Sequence, residues 1–306
     1  IDMQAKPEDF AFDRMQYNYF DPENMSSERV NAFTALEDLY HNPKSSWKGA
    51  RIWKYPSMFV PSNVEGAVAS GVIAPEEAAA AEEAILLNLY QDPKAPSSGA
   101  TLSQALTVDM LATSARDGWK RPLYFAMTVP DEYYVSLSPY MRNTGLAYQV
   151  APIYNPDGDA APWTATDKMY RNVTEKFRWG GLDKLGDNDD VYLDETVRRM
   201  VTTHRSAMAD LAYALFVEGY NAAHPMTDSV TGIAPEPDAV YAADRYAKAV
   251  KILDMIEEKL PQKVSPYSIQ IGYQIADAYL RLGEETGNEN LTNKGLDIIS
   301  SEIERY

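Results

Sequence analysis

The helical period dominates the last third of the chain. Val197, Val201, His204, Met208, Leu211 and Leu215 recur at steps of four, three, four, three and four. That spacing is one continuous apolar stripe on an α-helix. Asp194 stands where its N-cap belongs. The same periodicity predicts further helices over about 238–260, 268–283 and 290–305. Earlier in the chain the pattern is mixed. "ARIWKYPSMFVP" reads as a strand pair broken at Pro56, and "PEEAAAAEEAILLNLY" as a helix with Pro75 in its first turn. "TLSQALTVDMLATSARDG" reads as a second helix, with Gly118 where a left-handed C-cap belongs. "PLYFAMTV" is apolar on both faces and reads as an interior strand, and "GLAYQVAPI" reads as another. A helix over Ser27–Tyr40 carries Val30, Phe33, Leu36 and Tyr40, with Ser26 or Ser27 as its cap.

The late helices carry an internal repeat. "LAYALFVEGY" places Leu211, Ala212, Leu215 and Gly219 at the relative positions that Ile275, Ala276, Tyr279 and Gly283 hold in "IADAYLRLGE". The small residue admits a neighbouring helix, and the glycine is expected to end its own. Ala249, Leu253 and Pro261 follow the matching offsets in the partner helix. This resembles the tetratricopeptide pattern of paired antiparallel helices, although the 221–237 loop is long for it. The expected fold is α+β and mostly α, a small sheet packed with helices and then a tetratricopeptide-like module. The expected divisions are an aromatic-rich N-terminal linker and helix (1–48), an α/β domain (49–155), a loop-rich connector (156–194) and a helical-repeat domain (195–306).

Composition narrows the partners. Among 306 residues, 45 acids outweigh 28 bases, a formal charge of −17. Such a chain repels nucleic acid, and no basic run offsets the repulsion. There is no cysteine, so disulfides, thiolate metal sites and cysteine nucleophiles are excluded. Only three histidines are present, widely separated, which speaks against a histidine metal site. No stretch has the length and apolarity of a membrane span, and no signal peptide is visible. The first residue is Ile1 rather than an initiator Met, so the chain is expected to be part of something longer.

Candidate chemistry is concentrated in a few stretches. In "DGWKRP", Trp119, Lys120 and Arg121 suit an aromatic platform with cations facing a sugar or a phosphate. They suit equally a helix-to-strand corner with Trp119 as a core plug and the cations snorkelling, and the residue types favour packing. "KFRWGGLD" repeats the theme with Arg178, Trp179, two glycines and Asp183, as a ligand loop or a tight turn. Two acidic loops offer calcium candidates, Asp157 and Asp159 in one and Asp187 and Asp189 in the other. Thr166 stands where an EF-hand loop needs its closing glutamate, so no metal site is assigned. No cofactor is expected. His204 reads as a core histidine, and Asp109 shares a helix face with Arg116 as an expected ion pair. No nucleophile elbow, catalytic triad spacing or phosphate-binding glycine loop appears.

"DMLATSARDGWKRPLYFAMTV", "GLAYQVAPI", "MYRNVTEKFRWGGLD" and "VYLDETVRRM", in that order, resemble the soluble C-terminal region of a large bacterial membrane-protein family. That family is related to the transmembrane protein 260 O-mannosyltransferases. "MFVPSNVEGAVASGVI" is similar to the segment just upstream, and "ILDMIEEKLPQKVSPY" with "IADAYLRLG" to the helical tail. The resemblance covers about residues 49–306 and is less clear over 1–48. It implies an N-terminal bundle of membrane helices, outside this chain, that carries the catalytic acid of a lipid-sugar-dependent glycosyltransferase. It also implies a periplasmic tail on the outer face of the membrane. The expected role is therefore an extracytoplasmic accessory region, not catalytic alone, that braces the membrane part or presents an acceptor protein or peptide. Asp228-Ser229-Val230 further suggests Ser229 as an O-glycan acceptor. Two rival expectations stand beside this one: a stand-alone helical-repeat module that binds peptide, and a secreted carbohydrate-binding protein suggested by 21 Tyr and 5 Trp.

Overall fold

A computed structural model describes residues 18–20, 25–42, 46–47, 50–89, 99–158, 161–184, 192–227, 234–263 and 265–305. The chain divides into two compact units, Ile1–Asn143 with Ala147–Trp163, and Thr144–Leu146 with Thr164–Tyr306. The fold class is α+β and mostly α: small sheets packed with helices, then a helical module.

The first unit contains strands β1 (Asn18–Phe20), β2 (Val30–Asn31), β3 (Ser46–Trp47), β4 (Ala50–Trp53), β5 (Ser57–Pro61), β6 (Ala84–Asn88) and β7 (Gly99–Ala100). β8 (Tyr124–Ala126), β9 (Met141–Asn143) and β10 (Ala147–Val150) follow, and β11 (Trp163–Thr164) begins at the unit's last residue. They form three sheets, ordered β3-β4-β1-β7, β2-β5-β6 and β11-β9-β10-β8. Helices α1 (Ala32–His41), α2 (Val64–Ala69) and α3 (Leu102–Arg116) pack with them. Both strands expected around Pro56 form, but not as a pair, because β4 and β5 belong to different sheets.

α3 is largely buried in this unit. A capping box opens it: Gln104 N–H donates to Thr101 Oγ1 at 3.3 Å, and Thr101 N–H donates to Gln104 Oε1 at 2.7 Å. Ala105, Val108, Leu111, Ala112 and Ala115 are all buried, so most of its circumference faces core. α3 packs on α1 and β5, and these side chains share one core with Leu36 and Leu39 of α1, Met58 and Val60 of β5, Ile85 and Leu87 of β6, and Trp53. Each such side chain contributes about 1.5–3 kcal/mol by leaving water.

Three expectations need correction here. The expected helix at 75–90 is a 3-10 helix over Pro75–Ala80 followed by β6, which pairs antiparallel with β5 from Ser57↔Asn88 to Pro61↔Ala84. Ile85 and Leu87 are buried and Leu86 between them is exposed, so the pairing selects a period of two. Glu77 caps the start of that 3-10 helix. It accepts from Ala74 N–H at 2.6 Å and from Nη1 of the buried Arg142 at 2.6 Å. Second, "PLYFAMTV" yields only the short edge strand β8, with Tyr124 43% exposed. A turn from Val129 N–H to Ala126 O ends it at 2.9 Å. Third, α1 is capped by Asn31 Oδ1, which accepts from Phe33 N–H at 2.9 Å, while Val30 is drawn into β2 beside β5.

The second unit holds α4 (Thr166–Arg171), a π turn over Asn172–Lys176, and the long helices α5 (Glu195–Ala223), α6 (Ala239–Lys259), α7 (Ile269–Thr286) and α8 (Glu289–Arg305). α5 packs on α6, α7 on α8, and α5 on α7, the arrangement of two stacked helix pairs. Asp194 caps α5 as expected, its Oδ1 accepting from Val197 N–H at 2.8 Å. Asp238 and Ser268 do the same for α6 and α7. The repeat glycines play a different part from the one expected. Gly219 and Gly283 lie inside α5 and α7, and Gly287 at φ 65° closes α7. A Cβ on Gly219 would stand 2.6 Å from the Tyr246 ring, and one on Gly283 would strike Thr292. Gly295 likewise lets α8 approach Ala276 O, where a Cβ would sit at 2.9 Å. These glycines set the spacing within each helix pair.

Candidate functional site

The stretch after α3 answers its own question. Asp117 N–H donates to Thr113 O at 3.0 Å, Gly118 N–H to Ala115 O at 3.1 Å and Trp119 N–H to Ser114 O at 2.7 Å. Gly118 (φ 75°) and Trp119 (φ 57°) are both left-handed, and together they reverse the chain. A left-handed tryptophan costs about 1–3 kcal/mol and persists only where the surroundings hold it. Here the side chain is 0% exposed and its indole N–H donates to Ser62 O at 2.6 Å. Trp119 is therefore a core side chain and not a surface platform. Burial and the Ser62 bond fix it there. Asn63 Nδ2 reinforces the corner by donating to Ala115 O at 2.8 Å.

The reversal sends residues 120–123 back along α3, where Ser114 Oγ donates to Arg121 O at 2.7 Å. Lys120 and Arg121 are exposed. They line a groove of about 560 Å³ with Met110, Thr113, Ser114, Asp117, Pro122 and Leu123. Asp109, expected to pair with Arg116, is buried and accepts from Thr113 Oγ1 at 3.4 Å. Arg116 Nε donates to Asp117 Oδ1 at 3.0 Å.

The second candidate stretch belongs to the helical unit. Trp179 is half-buried, its ring 5.7 Å from Phe177 and 6.4 Å from His204. Gly180 (φ 62°) and Gly181 (φ 88°) turn the backbone, and Leu182–Lys184 follows as a 3-10 turn. Arg178 and Trp179 line a cleft of about 190 Å³ with Leu182, Met200, His204 and Leu260. Asp183 lies 4.0 Å from Lys259 Nζ. His204 is thus not a core histidine. It leaves the buried stripe, faces this cleft, and its Nδ1–H donates to Met200 O at 2.7 Å.

The residue beside it, Arg205, takes the buried place. It is 1% exposed, with Nη2 donating to Leu260 O at 2.6 Å and to Pro261 O at 3.3 Å, and Nη1 to Pro266 O at 3.4 Å. Its guanidinium lies 4.6 Å over the Tyr267 ring. Burial lowers it to about 10. The structure brings Arg178, Trp179 and Asp183 into one turn. Lys120, Arg121 and Trp119 form a separate corner in the other unit.

A third feature lies between α5 and α7. Tyr213, Phe216, Val217 and Tyr220 form one wall of a groove of about 450 Å³, and Arg281, Glu284 and Glu285 form the other. Tyr213 and Tyr220 are each 44% exposed. Arg281 Nε donates to Asp277 Oδ2 at 2.7 Å. Glu285 Oε1 accepts from Tyr246 OH at 3.2 Å and lies 2.8 Å from His224 Nε2. Burial, with Glu285 beside it, pushes the Tyr246 hydroxyl up to about 12. The His224 ring lies 4.6 Å from that of Tyr220. Sequence reasoning missed this groove. Its signal was a second apolar stripe at i, i+3, i+4 and i+7, beside the one that builds the core.

Among the described residues, no group of three or more His, Asp or Glu converges as metal ligands. Of the calcium candidates, Asp157 is exposed, and its N–H donates to Asn155 Oδ1 at 3.0 Å in a local turn. Asp159, Asp187, Asp189 and the acceptor candidate Ser229 lie outside the described residues. Among comparisons with known proteins, the family model described as TMEM260-associated domain 2 matches residues 1–170. That match takes in the first 48 residues, where the resemblance was less clear, and stops before α5. Neither a curated protein nor a solved structure matches the chain.

Proposed function

The chain belongs to the TMEM260-associated domain 2 family, and on that premise we propose that it holds the acceptor polypeptide of a membrane-bound protein O-glycosyltransferase. In this reading it lies in the periplasm and is not catalytic by itself. The membrane helices that the resemblance implies supply the anchor and the catalytic acid. Among the described residues, no helix is long and apolar enough to cross a membrane.

The α5/α7 groove carries the proposal. Tyr213 and Tyr220 stand two turns apart on one wall, exposed, with Phe216 between them. Half-exposed aromatics that present rigid apolar area are the side chains on which binding energy concentrates. The facing wall offers Arg281, Glu284 and Glu285 to polar groups. An extended polypeptide can lay apolar side chains on the first wall and polar ones on the second.

The test uses the full-length protein with Tyr213→Ala and Tyr220→Ala together. KM for a protein acceptor is expected to rise by about tenfold with kcat unchanged, the signature of lost ground-state binding. An unchanged KM in the folded variant overturns the proposal. Acceptor binding by a gene product without upstream membrane segments would instead favour the stand-alone peptide-binding module.

A further inference from the structure

We propose that the groove between the C-terminal half of α3 and residues 120–123 binds a phosphate monoester carrying an apolar group. The charge balance is the first ground. In a chain with 45 acids and 28 bases, this groove carries two cations, Lys120 and Arg121. Neither makes an ion pair among the described residues. The single acid in the lining, Asp117, is compensated by Arg116 Nε at 3.0 Å. Two unpaired cations match a monoester, which carries about −1.5 to −2 at neutral pH, better than a carboxylate.

The helix end does not oppose an anion here. The carbonyls of Thr113, Ser114 and Ala115, which would present negative charge, are already occupied by the N–H groups of 117–119 and by Asn63. The hydroxyl protons of Thr113 and Ser114 are spent on Asp109 and on Arg121 O, so binding of the ligand oxygens falls to the cations. Met110, Pro122 and Leu123 supply the apolar part of the lining. A volume of about 560 Å³ admits more than a bare phosphate. The paired left-handed residues Gly118 and Trp119 are what hold this segment against α3, and strain of that kind collects at functional sites.

Phenyl phosphate, inorganic phosphate, benzoate and phenol are titrated by NMR into the intact chain and into K120Q/R121Q. Both substituted side chains are exposed, and circular dichroism checks that the fold is kept. The expected order is phenyl phosphate tightest, with benzoate and inorganic phosphate weaker. In the variant, phenyl phosphate affinity falls about tenfold or more while phenol is unaffected. Binding of phenyl phosphate within twofold in the two proteins, or no preference over inorganic phosphate, overturns the proposal.

Discussion

Two stretches of this chain are built from the same parts and end differently. "DGWKRP" and "FRWGGLD" each put a tryptophan within two residues of an arginine, with glycine and aspartate near by. In the first, the glycine precedes the tryptophan, the tryptophan itself is left-handed, and its ring is driven into the core. In the second, the glycines follow, take the left-handed angles themselves, and leave the ring half-buried beside His204. The order of glycine and tryptophan goes with which residue bears the turn. In one case the cations are left to a groove, in the other the aromatic ring lines a cleft.

The largest test of that contrast is Trp119→Ala. It removes a fully buried ring and is expected to cost about 3–5 kcal/mol in urea unfolding. A loss below about 1 kcal/mol would mean that the corner does not depend on the ring. Gly118→Ala comes next. A Cβ there meets nothing closer than 3.8 Å, so only the φ of 75° is penalised, and the expected cost is about 1 kcal/mol. Trp179→Ala should cost less than that, because the ring is half-buried. Its effect should appear instead in the NMR shifts of His204.

The smallest effect is Asp210→Asn on α5. Burial raises the Asp210 carboxyl above its usual range, against a bond from Gln274 Nε2 at 2.6 Å. A raised carboxyl means that the folded state prefers the protonated form. Its charge therefore costs stability at neutral pH, and the cost disappears as pH falls through the raised value. Asparagine keeps an acceptor for Gln274, so a gain of a few tenths to about 1 kcal/mol is expected at pH 7. Thermal unfolding should show that gain shrinking in acid. Asp167 has the opposite sign. The hydrogen bond from Arg245 holds its carboxyl low, and its contribution is lost as pH falls through that lowered value.

Legibility followed range. Local signals read well: the Asp194 cap, the left-handed Gly118 and the bounds of α6 and α8 to within a residue or so. The alanine-rich run at 75–90 was misread because its state is decided by pairing with β5 more than by its own propensity. The corner at 117–123 was readable as a packing device, yet no local signal separated Trp119 from Trp179. The difference lies in what each ring meets, and Ser62 is far from Trp119 in sequence. His204, expected in the core, leaves that place to Arg205 for a similar reason. The carbonyls that accept from the guanidinium arrive from residues 260–266. The glycine repeat was seen, but its role emerged only from the neighbouring helix.

The indole bond from Trp119 to Ser62 O closes a loop of 57 residues. Bringing such ends together costs about 3–4 kcal/mol of chain entropy. α3 and its capping box involve only near neighbours and can assemble without that closure. The bond is therefore expected to form late, after the folding barrier, and substitutions at Trp119 should speed unfolding more than they slow folding. Stopped-flow measurements of both rates would check this. What the indole supplies, on this account, is lifetime: it delays the opening that would expose the corner to proteases.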